Sequence, residues 1–288
     1  MYFRAVLYSF NLIKLNIFFK TYVIEPFLCS INIMSELKAP HEEYLLTEID
    51  LFKKNQSQRS DSIISETTGI EIKSVIDVGC GAGQELLPFA QMEDVKCVGV
   101  DVSDAAGPVF REFFDEQSLP STPIYVQSKG EELPFDAEQF DVVICRVALP
   151  YMNNRRALTE MARVLRPGGL LLLRTHSPKF YLGMVKRRLK EMDPKLLAYP
   201  ILCFMGGIWH WLAGRRSSIP LLRDKEVFQT VGTIERDIKQ TGLVIKKDRK
   251  TRCGEARAMV LQKVSLCNLI VQYFLGSDTL YLGLSAIH

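Results

Sequence analysis

Between residues 74 and 176 the chain alternates short apolar runs with longer stretches in which apolar positions recur at helical spacing. The run Ser74-Val75-Ile76-Asp77-Val78 enters a glycine-rich turn, and residues 84–91 follow with Leu86, Leu87, Phe89 and Ala90 spaced as on a helix. The pattern predicts strand, tight turn, helix. It then repeats, with a strand over 95–102 and a helix over 105–117 for which Ser103 or Asp104 is the candidate N-cap. Strands over 124–126, 140–145 and 169–175 follow, with a helix over 154–165 between the last two. Strands alternating with helices at this spacing predict an α/β fold with a doubly wound, mostly parallel sheet, because parallel neighbours need a crossover that is usually a helix. A helix over 225–240 and strand-like runs at 243–246 and 257–262 extend the unit less distinctively.

The alternation breaks at both ends of the chain and in one internal stretch. Residues 1–33 form an apolar extension rich in Phe, Ile, Leu and Tyr. A spanning helix needs about 20 apolar residues, and Arg4, Asn11, Lys14, Asn16 and Lys20 interrupt every such window. A cleaved leader would show an unbroken apolar run and a small-residue cleavage site, and neither is evident. A third reading starts the functional protein at Met34, where ordinary soluble composition begins. The tail, 265–288, is apolar without a chemical motif. The main domain is therefore expected over 34–264, with a ligand-binding core at 70–176, an insertion at 178–223 and a closing helix and strands at 225–264.

That insertion far exceeds a plain αβ loop, which takes about 2 to 6 residues, so it is expected to fold as a helical lid over the carboxyl edge of the sheet, where doubly wound folds bind ligands. Residues 181–192 are basic and helix-compatible, and 196–214 are nearly all apolar. Lys186, Arg187, Arg188, Lys190, Lys195, Arg215 and Arg216 oppose only Glu191 and Asp193, a local excess of five positive charges. An apolar stretch flanked by cations suits a hydrophobic or lipid-like acceptor, or peripheral contact with a membrane. A lid merely packed on the sheet is the plainer reading. Pro200, Gly206 and Gly207 argue against a straight spanning helix.

Composition narrows the classes further. With 288 residues, 47% of them hydrophobic, the chain can bury one substantial core. A formal charge of +3, from 36 basic and 33 acidic residues, gives no global field that would imply nucleic acid. Seven cysteines, with no C-x-x-C pair and no Cys/His cluster, argue against a disulfide framework or a metal site and for a reducing, cytoplasmic setting.

The candidate chemistry begins in Asp77-Val78-Gly79-Cys80-Gly81-Ala82-Gly83, where three alternating glycines let the backbone turn sharply and approach a ligand with no Cβ in the way. Such a turn lies at the carboxyl edge of the sheet and leads into a helix N-terminus, where free N–H groups favour an anionic group. Eighteen residues after Gly83 the second strand ends in Asp101, placed to accept both hydroxyls of a ribose. Together they point to a nucleoside-containing ligand. The bland alternative is that the glycines only shape a turn and Asp101 only caps the helix after it.

Residues 75–83 resemble the first motif of class I S-adenosylmethionine-dependent methyltransferases, of the type 11 kind, and Val98-Gly99-Val100-Asp101-Val102-Ser103 resembles their acidic second strand. Glu131-Glu132-Leu133-Pro134-Phe135 with Phe140-Asp141-Val142-Val143, and Met161-Ala162-Arg163-Val164-Leu165-Arg166-Pro167-Gly168-Gly169, resemble two further blocks of that family in the same order. The resemblance covers about residues 70–176. It implies a Rossmann-like fold with S-adenosyl-L-methionine as cofactor. It further implies that Gly79, Cys80, Gly81 and Gly83 form the loop at the methionine end, with Asp77 helping to hold the amino group. Asp101 and Val102 would take the ribose side. Many relatives carry an acid where this chain has Lys129, so Gly130 and Glu131 would supply the adenine contact. Cys145 and Arg146 would line the sulfonium side, chiefly through backbone.

Two rivals remain open. A nicotinamide oxidoreductase would ordinarily show G-x-G-x-x-G, whereas position 84 is Gln. A non-catalytic binding protein of the same fold is the other, since fold does not fix function. For methyl transfer to a small acceptor the chain needs little beyond positioning and, for a hydroxyl, a base. His176, just past the fifth strand, is the candidate base, and Tyr151, after the fourth, the candidate orienting group. Both residue types also serve as caps or walls.

Overall fold

The computed structural model describes residues 41–190, 197–223, 225–251 and 253–264. The extension at 1–33 and the tail at 265–288 lie outside the described residues. Seven strands form one sheet in the order β3-β2-β1-β4-β5-β7-β6. They are β1 Ser74–Val78, β2 Lys96–Asp101, β3 Ile124–Gln127, β4 Phe140–Arg146, β5 Leu165–His176, β6 Leu243–Lys250 and β7 Ala256–Lys263. The first five pair in parallel, and β7 runs antiparallel to both β5 and β6. This is the doubly wound sheet expected from the alternation, closed by an antiparallel hairpin.

Successive residues in a strand point to opposite faces, and here both faces are covered. Val75, Val142, Ile144, Leu170 and Leu172 point to one side. There they meet α1 (His41–Lys54), α2 (Gln56–Glu66), α3 (Leu87–Ala90) and α4 (Ala106–Asp115), with Phe52, Ile63, Phe89 and Phe110 wholly buried. Ile76, Val143, Cys145, Leu171 and Leu173 point to the other side, against α5 (Asn154–Val164) and α9 (Val231–Asp237). Each such buried side chain contributes about 1.5–3 kcal/mol over an exposed one, which is why strands read as continuous apolar runs and not as alternating ones.

Between β5 and α9 lie α6 (Pro178–Lys190), α7 (Ala198–Ala213) and the short α8 (Pro220–Arg223). Pro200, Gly206 and Gly207, expected to disfavour a straight spanning helix, all lie within the 16-residue α7. The helix runs through Gly206 and Gly207, and a Cβ on Gly207 would overlap the ring of Phe228, so the glycine admits a close packing partner. Among the described residues no helix is long and apolar enough to cross a membrane.

Three local expectations need correction. The segment after Gly83 is a 3-10 turn, Gln84–Leu86, before four α-helical residues, with Pro88 in the first turn. Neither Ser103 nor Asp104 caps α4; the N-cap is Ala105, without a side-chain bond, and the Ser103 N–H instead donates to Asp101 Oδ1 at 2.9 Å. The helix expected over 225–240 is only α9, because Val227 and Gln229 donate their N–H groups to the carbonyls of Pro150 and His176 and stay out of a helix. A reciprocal capping box between Thr230 and Thr233 then starts α9.

Candidate active site

The glycine turn hangs from β1 over the end of β2. Gly79 and Cys80 both donate to the Val100 carbonyl, at 2.7 and 3.0 Å. Gly79, Gly81 and Gly83 all have positive φ, which fits glycine and strains other residues. They do different jobs. A Cβ on Gly79 would overlap Ala148 at the end of β4, and one on Gly81 would press the tip of Leu45 from α1. A Cβ on Gly83 would strike Phe110 and Phe114, so that glycine serves packing of α4 beneath the turn. Gly130 likewise faces Val78 and Met152, and the Cys80 thiol lies against Gly99.

Asp101 terminates β2 with its carboxylate turned to the turn. Oδ2 accepts from Gly81 N–H at 2.9 Å and Oδ1 from Ser103 N–H at 2.9 Å, leaving each oxygen a further lone pair. Val102, immediately after it, is 62% exposed. Lys129 is exposed, and the Glu131 carboxylate accepts from the Asn153 N–H at 2.7 Å, tying the loop after β3 to the start of α5.

Asp77 is buried at the end of β1, and burial, reinforced by the nearby Glu85 charge, pushes its carboxyl well above the usual carboxylate range. Among the described residues no hydrogen bond to its side chain offsets this. Glu85 is bridged by Arg59 of α2 and, at 3.2 Å, by Arg146 of β4, so two guanidinium groups fix the floor beside Asp77. Gln84 Oε1 and Thr175 Oγ1 are buried without a partner among the described residues. A buried acid without a side-chain partner among the described residues, and the unpartnered Gln84 oxygen next to the turn, fit a ligand that brings a cationic donor. The Cys145 thiol, pushed up to about 12 by burial, forms neutral wall.

Beyond the ends of β4 and β5, Tyr151 and His176 meet on one carboxylate. Glu226 Oε1 accepts from Tyr151 at 2.8 Å and Tyr199 at 2.7 Å. Oε2 accepts from Tyr181 at 2.8 Å and lies 3.3 Å from His176 Nδ1. Burial alone would raise the Glu226 carboxyl, but the bonds from His176, Tyr199, Tyr151 and Tyr181 outweigh it and lower it to about 2. An ionised Glu226 can only accept, so His176 is the donor in this bond, through Nδ1–H. Stacking on Phe180 at 3.6 Å fixes the ring further.

Glu226 escapes a reading of the sequence, where it sits in a helix-like run far from Tyr151, Tyr181 and Tyr199. Nor does the sequence announce Val147, a β-branched residue at φ 68°, whose N–H donates to the Arg174 carbonyl at 2.7 Å. That conformation is strained. It bends the chain off β4 so that Ala148 meets Gly79 and Tyr151 reaches Glu226. Arg216, grouped by sequence with the surface cations, is half-buried and donates to the carbonyls of Pro150, Met152, Arg223 and Lys225, latching the helical segment to the turn after β4.

Residues 76–173 match the methyltransferase domain family. An uncharacterised methyltransferase of Bacillus subtilis is 32% identical over 137 residues, 43% of this chain and 53% of that protein. The ubiquinone/menaquinone biosynthesis C-methyltransferase of Idiomarina loihiensis is 33% identical over 102 residues, 34% of this chain and 41% of that protein. The alignments thus span about half the length of these relatives. A solved protein of Pyrococcus horikoshii shares the fold at a TM-score of 0.52 and 17% identity, covering 73% of this chain and 91% of that one. Over residues 76–173 the chain is thus similar to the methyltransferase domain family, and its doubly wound sheet is the fold of the solved protein.

Proposed function

We propose that the protein transfers the methyl group of S-adenosylmethionine to a small, hydrophobic or lipid-like acceptor. What supports this is a pair of differently equipped clusters at the carboxyl edge of the sheet. One holds the Asp77, glycine-turn and Asp101 frame; the other holds the Glu226 constellation, to which α6 and α7 contribute Tyr181 and Tyr199.

In this reading Asp77 would hold the cofactor's amino group, with the backbone of Gly79, Cys80 and Gly81 around its methionine end. Asp101 would take the ribose hydroxyls through the lone pairs that Gly81 and Ser103 leave open, and the exposed face of Val102 with Gly130 and Glu131 would border the adenine. Cys145 and Arg146 would close the wall nearest the sulfonium. When bound, the cofactor supplies an already activated methyl group. The chain's own residues then have to hold the acceptor in line and remove a proton if the acceptor is a hydroxyl. His176 Nε2 would take that proton, with Glu226 stabilising the resulting imidazolium through Nδ1–H, and the Tyr151 hydroxyl would border the acceptor.

The helical segment 178–223 serves as a lid in this account. Tyr181 on α6 and Tyr199 on α7 bond to the same carboxylate as Tyr151, which supports this reading. The test is incubation of purified protein with methyl-labelled S-adenosylmethionine and a fractionated cell extract. Label should pass to the organic-soluble fraction, and His176→Ala should lose that transfer while retaining cofactor binding. Transfer confined to the aqueous small-molecule or macromolecular fraction would contradict the acceptor class.

A further inference from the structure

The outward side of α7 has no counterpart in the chemistry above. Ile201, Met205, Ile208, Trp209 and Leu212 follow one another at helical intervals of three or four, or as adjacent neighbours, and all are exposed, Met205 by 51% and Leu212 by 71%. Trp211 flanks them at 55%. The opposite side, Leu202, Cys203, Gly206, Gly207 and His210, is already buried, with Gly207 against Phe228. Thus α7 is apolar all round although only one side faces protein. Contiguous apolar surface of this kind marks an interaction site.

Charge selects the partner. The described residues of 178–223 include no acid, while Lys186, Lys190 and Arg215 are exposed. On α6, which packs against α7, the exposed Leu182, Lys186 and Leu189 share one face. Apolar and aromatic side chains interleaved with cations match the boundary of an anionic bilayer, where indole rings sit at headgroup level and lysines reach the phosphates. A 16-residue helix lies in such a boundary and does not cross it.

We propose that α6 and α7 dock the protein on anionic lipid, with α7 lying in the plane of the headgroups. The docked side is the back of the helix pair whose inner side carries Tyr181 and Tyr199 to Glu226, so docking brings the Glu226 constellation to the lipid surface. The docking surface stands on exposure and charge alone and holds whether or not the protein transfers a methyl group.

The molecule carries its own reporter, because its two tryptophans, Trp209 and Trp211, both sit on α7. The full chain is titrated with vesicles of phosphatidylcholine alone or of phosphatidylcholine with phosphatidylglycerol, in low and high salt, with lipids brominated at known depth as quenchers. Anionic vesicles should shift the emission to the blue, shallow bromines should quench it, and salt should reverse both. Leu212→Glu with Met205→Glu should abolish the response without altering circular dichroism or S-adenosylhomocysteine binding. Lys186→Glu with Arg215→Glu should weaken partitioning by on the order of tenfold or more. Emission unchanged by anionic vesicles overturns the proposal, whether it is already blue-shifted because another segment of the chain covers α7 or shifts only with protein concentration because copies pair there. A response equal on neutral vesicles overturns the anionic selection.

Discussion

Replacing Glu226 by glutamine tests the constellation at the acceptor end without changing its size. The carboxylate accepts from three tyrosine hydroxyls and from His176. Glutamine keeps one oxygen, but its amide nitrogen would face two of those donors, which then lose their acceptor in a buried site. Hydrogen bonds to a charged group contribute about 1.5–3 kcal/mol each, so two losses amount to about 3–6 kcal/mol. The carboxyl lies at about 2 against an ordinary 4.5, which gives about 3 kcal/mol by linkage. We therefore expect about 3 kcal/mol of destabilisation in urea at neutral pH, and a Tm lower by about 6–12 °C. The sign with pH follows from the depressed value: the stabilisation is complete above the ordinary pKa and is lost as pH falls through the folded one. The gap between wild type and variant should accordingly be full at neutral pH and close between about pH 4.5 and 2. A difference below about 1 kcal/mol at neutral pH, or one independent of acid, would refute the role given to the four donors.

Two further outcomes follow from the cofactor end. Burial holds Asp77 above the usual carboxylate range, while a cationic amino group would favour its ionised form; cofactor affinity should therefore rise as pH rises through the raised value, and calorimetry in buffers of different ionisation enthalpy should reveal proton release there. Asp77→Asn should remove that release. Lys129→Met should leave affinity unchanged, since the side chain is exposed and an ammonium has only donors to offer adenine's exocyclic amine; a loss of affinity with the fold intact would show that Lys129 contributes after all.

The sheet was legible because its signals are local. Val75 to Val78, Val142 to Cys145 and Leu170 to Leu173 are buried on both faces and read as apolar runs, and glycines at 79, 81 and 83 mark a turn that needs positive φ. The acceptor end was only half legible. His176 and Tyr151 could be singled out because each follows a strand into the carboxyl edge. Glu226 could not, since its partners are 75, 50, 45 and 27 residues away. Its segment reads as helix and is held extended by the carbonyls of Pro150 and His176, a tertiary contact that overrides local propensity. In α7 nothing in the sequence explains Gly207, whose role is seen only with Phe228 packed against it.

The central claim, that the glycine turn and Asp101 form the binding frame for S-adenosylmethionine, is tested most directly by titrating S-adenosylhomocysteine into the wild type and Asp101→Ala in a calorimeter. Saturable one-to-one binding should weaken in the variant by about 1.5–3 kcal/mol, the size of lost charge-assisted hydrogen bonds. No binding to the folded wild type, or equal affinity in the two proteins, would contradict it.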